Sequence, residues 1–147
     1  MTNPTRWGFS IFCEDIREEV GEKFSWMGIF RKEITVPEDF PVFIKTFAII
    51  IKYYEIVDLY NNDLIFRIYG TDDVVIAEQK IMRDSIVSWS LEPGSVAPDE
   101  NLIGFELPFI FSPMVVSKAG SLKVRVYDGV EEVKLGSIRV RAVAPPA

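Results

Sequence analysis

The chain contains no histidine among its 147 residues. That absence removes His-based catalytic triads and His metal sites, and with them the commonest general base near neutral pH. Any enzyme built on this sequence has only carboxylates, Lys, Tyr and one thiol to work with. Cysteine is nearly missing too. Cys13 stands alone, so no internal disulfide can form and a reducing compartment is the natural reading. Long apolar runs are lacking: the longest aliphatic block, Phe47 to Ile51, falls far short of the roughly 20 residues of a membrane helix. The stretch before Trp7 has no apolar core of a secretory signal. These absences predict a cytoplasmic protein with no membrane partner. A cationic surplus is also missing. With 16 Lys and Arg against 22 Asp and Glu, the net charge is −6, which argues against nucleic acid as a partner.

What is present is apolar and aromatic. Hydrophobic residues make up 48% and aromatics 13%, with 11 Phe, and that composition fits a packed core rather than a disordered chain. The length suits one domain over residues 1–147, with 1–6 and 144–147 as tails. No internal repeat or low-complexity tract divides it.

Trp7, Phe9, Ile11 and Cys13 alternate with Gly8, Ser10 and Phe12, the period of a strand. Glu14 to Glu22 reads as a connector of at most one helical turn, since Asp15 and Glu18 have capping-box spacing and Gly21 can end it. Lys23 to Phe30 returns to strand, and Gly28 there signals a bulge or a close backbone approach. A short strand is expected over Ile34 to Val36, then a connector over Glu38 to Pro41. Phe43 to Tyr53 is apolar on both faces, the mark of a central strand covered on both sides. A hairpin is expected around Thr71-Asp72-Asp73, a strand over Ile86 to Leu91 carrying Trp89, and a long loop over Glu92 to Asn101. Another strand runs Leu102 to Leu107, demoted beyond it by Pro108. Ser121 to Tyr127 and Val133 to Val143 form a final hairpin. So many short strands predict an all-β fold, an antiparallel β-sandwich of Ig-like or C2-like type, with a closed β-barrel as the alternative.

Phe12-Cys13-Glu14-Asp15-Ile16-Arg17, then Glu19, Gly21, Lys23, Ser25 and Gly28-Ile29-Phe30, with Leu135-Gly136-Ser137-Ile138-Arg139-Val140 near the end, carry a resemblance. The chain resembles an uncharacterised family of small bacterial and phage-associated proteins that open with a Phe-Cys-(Asp/Glu)-Asp-Ile-Arg run followed by Gly-x-Lys-x-Ser-x-x-Gly. Glu22 and Phe24 depart from that pattern, where a Gly and an aliphatic residue are commoner. The resemblance implies a single all-β domain of bacterial origin and carries no activity with it.

Glu14, Asp15, Glu18, Glu19 and Glu22 place five carboxylates within nine residues. Such a cluster suits Ca²⁺, which takes several oxygen ligands, or else a solvated turn facing a partner. The loop from Asp58 does not fit an EF-hand, with Asp63 at its sixth position and Tyr69 at its twelfth. Cys13, flanked by Glu14 and Asp15, is disfavoured as a thiolate and reads as a core residue. Lys123, Arg125, Arg139 and Arg141 share one face of the last hairpin as a basic ladder, which needs acidic partners from this chain or another because like charges opposite each other repel. No catalytic residue and no cofactor site emerges. The expectation is a non-enzymatic interaction module, with a Ca²⁺-dependent binding module as the second reading and a two-carboxylate hydrolase as the third. Opposed acidic and basic patches would also allow head-to-tail self-association.

Overall fold

A computed structural model describes residues 4–37 and 39–143. In chain order the elements are β1 (Arg6–Glu19), β2 (Lys23–Ile29), β3 (Glu33–Val36), β4 (Val42–Ile44), β5 (Phe47–Ile56), β6 (Leu64–Tyr69) and β7 (Val75–Ile81). A helix α1 (Arg83–Ser90) follows, then β8 (Val96–Ala97), β9 (Leu102–Phe111), β10 (Met114–Val116), β11 (Gly120–Asp128) and β12 (Glu131–Ala142). The fold is an all-β sandwich of two open five-stranded sheets, ordered β2-β1-β5-β9-β8 and β3-β12-β11-β6-β7, with a small ladder of β10 and β4. The sheets do not close into a barrel. All pairings are antiparallel except β12 with β3.

Alternation decides which side chains fill the space between the sheets. Phe47, Ile49, Ile51 and Tyr53 of β5 point inward and meet Leu64, Phe66 and Ile68 of β6, Leu122, Val124 and Val126 of β11, and Leu135, Ile138 and Val140 of β12. The aromatics interlock edge to face: Tyr53 and Phe66 lie 5.5 Å apart at 86°, and Trp89 of α1 sits 5.5 Å from Phe105.

β1 shows its small side to this core. A Cβ on Gly8 would press into the Lys52 carbonyl and come within 2.8 Å of a Leu135 methyl, and Ser10 Oγ donates to the Leu135 carbonyl at 2.8 Å. The N-terminal half of β1 thus joins the first sheet to β12 of the second.

Five expectations need correction. The acidic stretch 14–22 is neither a connector nor a helical turn: β1 continues to Glu19 and pairs with β2 from Ile16↔Trp26 to Glu19↔Lys23. Gly21 and Glu22, at φ +84° and +58°, reverse the chain within Val20–Glu22, so cross-strand pairing outcompetes the weak capping signal. Ile86 to Leu91 is not a strand. Asp63 Oδ1 accepts the Arg83 N–H at 2.6 Å and satisfies an N-terminal donor of α1, and Ile86 and Trp89, three residues apart, share the helix face that meets the core. The Phe43–Tyr53 run breaks after Ile44, and β4 leaves to pair with β10, an element the sequence reading passed over. β9 continues through Pro108, opposite Ile50, because β8 covers only Leu102 and Ile103 and leaves that edge without a donor to lose. Arg6, assigned to a tail, is a buried residue of β1. The remaining tail residues 1–3 and 144–147, and Glu38 of the connector, lie outside the described residues.

The closeness at Gly8 has a direct consequence. A Cβ is fixed to the backbone and cannot rotate away, so Gly8→Ala is expected to cost about 1–3 kcal/mol by overpacking. Urea unfolding measures it, and an unchanged midpoint would show that β1 and β12 do not meet there.

Candidate functional site

The two outer faces of the sandwich differ in chemistry. On the second sheet, the face away from the core is ion-paired. Lys123 Nζ lies 2.8 Å from Asp73, Arg67 Nε 3.2 Å from Glu78, Arg125 Nε 3.7 Å from Glu132 and the Arg141 guanidinium 2.8 Å from Glu33. The Lys123 ammonium holds the Asp73 carboxyl below its ordinary range. Of the basic ladder, Lys123, Arg125 and Arg141 therefore find acidic partners within the chain, and Arg139 has none among the described residues. A bulge between Lys123 and Arg125 also breaks the ladder's even spacing.

The outer face of the first sheet is apolar. Register places Trp7 with Tyr54 and Gly104, Phe9 with Lys52 and Glu106, Ile11 with Ile50 and Pro108, and Cys13 with Ala48 and Ile110 in successive rows. Trp7 stacks on Tyr54 at 5.5 Å, and the Tyr54 ring lies across Gly104, where a Cβ would come within 2.5 Å of it. Phe9, Ile29 and Ile110 are 47%, 51% and 60% exposed, yet Cys13, Ala48 and Ile50 on the same face are buried. What buries them is the β1–β2 hairpin, for Ile16 and Trp26 pack against this trio.

The hairpin gets there by a step in its own alternation. Ile11 and Cys13, but then Ile16, meet the outer cluster, so the strand shifts by one residue across Glu14–Asp15. Opposite that step is Gly28, at φ +66°. A Cβ there would lie 2.7 Å from the Glu14 carboxyl carbon. The expected close approach at Gly28 is real, with the register on either side intact. Beyond it the arm arches over the sheet and leaves a cleft of about 200 Å³ lined by Ile16, Phe24, Trp26, Ile50, Glu106 and Pro108. Glu106 pairs with Lys52, whose ammonium lies 5.4 Å from the Trp26 ring centre. Past Glu106 a shallower depression of about 500 Å³ continues over Tyr54, Gly104, Gly94, Ser95 and Ala97.

The five acidic residues of the arm do not converge. Glu14 lies over Gly28, Asp15 accepts the Ile16 N–H at 2.8 Å, Glu19 accepts from Ser25 Oγ at 3.0 Å, Glu18 stands opposite Phe24, and Glu22 is in the turn. Among the described residues no three Cys, Asp or Glu side chains come together as a metal shell. Cys13 is a core residue. Burial pushes its thiol up, a backbone hydrogen bond at Asp15 opposes this, and the charges of Asp15 and Glu14 push it further up.

A second polar constellation escaped the sequence reading. Arg6, with its side chain 5% exposed, lies 2.5 Å from Asp128 and 2.6 Å from Glu131, with its guanidinium 4.1 Å from the Tyr60 ring centre. Its register partner Glu55 is buried. One Glu55 oxygen is taken by Arg83 and the other by the Tyr53 hydroxyl at 2.9 Å. Burial pushes the Tyr53 phenol far up, and Glu55 pushes it further. A cavity of about 150 Å³ lined by Glu55, Asp58, Tyr60, Asn61 and Arg83 adjoins it. Both Glu55 oxygens are thus engaged within the chain, and the cluster reads as a lock between sheets. Arg6 and Asp128 alone are 122 residues apart in sequence, so no local pattern announces it.

No protein-family model matches the chain, and no curated protein or solved structure matches it significantly. The class defined by the fold is an all-β sandwich.

The lock predicts a pH dependence. Burial alone would raise the Asp128 carboxyl, but the Arg6 hydrogen bond and the charges of Arg6 and Arg83 outweigh it and hold the carboxyl below its ordinary range. A depressed folded value means that this stabilisation is complete above the unfolded value of about 3.9 and is lost as pH falls through the lower folded one. Arg6→Ala, which strands Asp128, is expected to cost about 3–5 kcal/mol at neutral pH. Asp128→Asn should flatten the acid limb of the stability curve. Urea midpoints over a pH series check both.

Proposed function

We propose that this chain is a non-catalytic interaction module that docks a protein partner on the outer face of its first sheet. The observation that carries the reading is the asymmetry of the two outer faces. One carries four ion pairs of its own, and the other presents Trp7, Phe9, Phe24, Ile29 and Ile110 to solvent around a cleft. Contiguous exposed apolar surface of this kind on a folded domain marks a binding surface. Head-to-tail self-association through the basic ladder has less support, because three of its four residues are already paired within the chain. The Ca²⁺ reading also has less support, since its five carboxylates are spread along a hairpin. A hydrolase would need two carboxylates free in one cleft. The apolar cleft holds one, already paired with Lys52. Of the two in the cavity beside Arg83, Glu55 and Asp58, Glu55 is engaged by Arg83 and Tyr53, so this reading has less support.

The lone reduced cysteine supports a cytoplasmic setting. Among the described residues no helix is long and apolar enough to cross a membrane. The resemblance to small bacterial and phage-associated proteins supports a bacterial or phage-derived assembly as the place of action.

Site-specific photo-cross-linking in the native host tests the docking face. A cross-linking residue at Ile110, on the first sheet's outer face, is expected to give a discrete adduct, and one at Lys134, on the second sheet's outer face, is expected to give none. Equal adducts from both positions, or none from Ile110, would remove the reading.

A further inference from the structure

The cleft beneath the β1–β2 arm has a size, a lining and a rim that together specify an occupant. Its roughly 200 Å³ falls below the about 300–1,000 Å³ usual for small-molecule sites, which suits one large side chain rather than a cofactor. The walls are Ile16, Phe24, Trp26, Ile50 and Pro108. Glu106 is the single polar wall residue, and its carboxylate is neutralised by Lys52. Apart from the Trp26 indole N–H the walls offer no further hydrogen-bonding side chain, so the recognised element is apolar.

The rim is acidic. Glu14 and Asp15 line a separate depression with Phe30, Ile34 and Ile44, and beyond them the arm carries Glu18, Glu19 and Glu22 against Arg17 and Lys23. Asp15 has Arg17 at 3.8 Å and Glu19 holds Ser25. Glu18 and Glu22 have no cationic partner among the described residues, and Glu18 stands directly opposite the cleft residue Phe24. A second copy of this chain, itself at net −6, is repelled by that rim, and a positively charged segment is attracted to it.

We infer that the cleft takes one large apolar side chain of a partner protein, presented by a segment rich in Lys or Arg. This deepens the docking reading above and rests on it. The aromatic anchor supplies affinity by burial under the arm, and the flanking cations supply orientation and rate against the acidic rim.

Amide and indole NMR titration of the full chain with synthetic probes tests this. The probes are a short peptide with one Phe between Lys pairs, the same peptide with Ala for Phe, the same peptide with Glu for Lys, and a neutral oligosaccharide. The Lys-flanked Phe peptide is expected to shift the Trp26 indole and the Ile50 amide. Replacing Phe by Ala should weaken binding about tenfold or more, the effect of losing one buried aromatic side chain. Glu flanks should abolish binding, and added salt should weaken it. Trp26→Ala removes a wall of the cleft, and Glu18→Lys, at an exposed position, reverses the rim charge without touching the core. Both should reduce the response to the Lys peptide.

Equal binding of the Phe and Ala peptides, equal binding of the Lys and Glu peptides, or no response to any peptide would overturn the inference. A response to the oligosaccharide alone, centred on Trp7 and Tyr54, would overturn it in favour of carbohydrate stacking. If the peptides fail while the Ile110 adduct still forms, the anchor chemistry is wrong and the docking face stands. If the adduct is also absent, the docking face itself is wrong.

Discussion

The structure depends on the constraint that β5 is apolar on both faces. Its inward side chains Phe47, Ile49, Ile51 and Tyr53 are covered by the opposite sheet, as in any sandwich. Its outward side chains Ala48 and Ile50 would meet water in an ordinary two-layer fold, and both are buried. Covering them is the task of the β1–β2 arm. Burial of apolar area stabilises by roughly 25 cal/mol per Å², so an unpartnered Ile50 and its neighbours favour any local chain reversal that lays a second apolar surface on them. Ile16 and Trp26 provide that surface, and the step at Glu14–Gly28 aims it. The cleft is the space this arch leaves unfilled.

The opposite end of β1 answers a different demand. Arg6 begins the strand beside Glu55 and reaches the β11–β12 turn through Asp128 and Glu131. A buried ion pair is weak evidence for net stability, because desolvation opposes the attraction, but breaking one leaves a charge stranded. The Arg6 cluster thus acts on geometry. It fixes where β1 starts relative to the second sheet, and Gly8 and Ser10 then let β12 approach closely. One strand consequently ties the two sheets together at its beginning and covers the outer face of the first sheet at its end.

Local patterns in the sequence revealed the sandwich, the two-sided burial of the Phe47–Tyr53 run, the β6–β7 and β11–β12 hairpins and the close approach at Gly28. Period-two alternation and turn chemistry are local, and those elements obey them. Local patterns failed where a tertiary partner decided the outcome. The acidic spacing of Asp15 and Glu18 fits a cap as well as a strand, and only Phe24 and Trp26 across the turn select the strand. Ile86 and Trp89 are a single pair at helical spacing, too little to set the period alone, and Asp63 satisfies the helix start from 20 residues away. The Trp7-Phe9-Ile11-Cys13 face was legible as a face, but its direction was not. The bulky side points outward because Gly8 and Ser10 are needed where β12 comes in. The basic ladder was legible as four residues, whereas the carboxylates that neutralise three of them come from Asp73, Glu132 and Glu33, on separate elements.

The claim most open to direct attack is that the arm lies over the first sheet, and Cys13 reports on it. This sole thiol sits beneath Ile16 and Trp26 and is fully buried. The decisive measurement is the rate at which a thiol reagent modifies Cys13 in the native protein, compared with the urea-unfolded chain and with a Trp26→Ala variant. The structure predicts strong protection in the native state, and faster labelling in the variant beyond what its global stability explains. Native labelling at the rate of the unfolded chain would show that the arm does not cover the sheet.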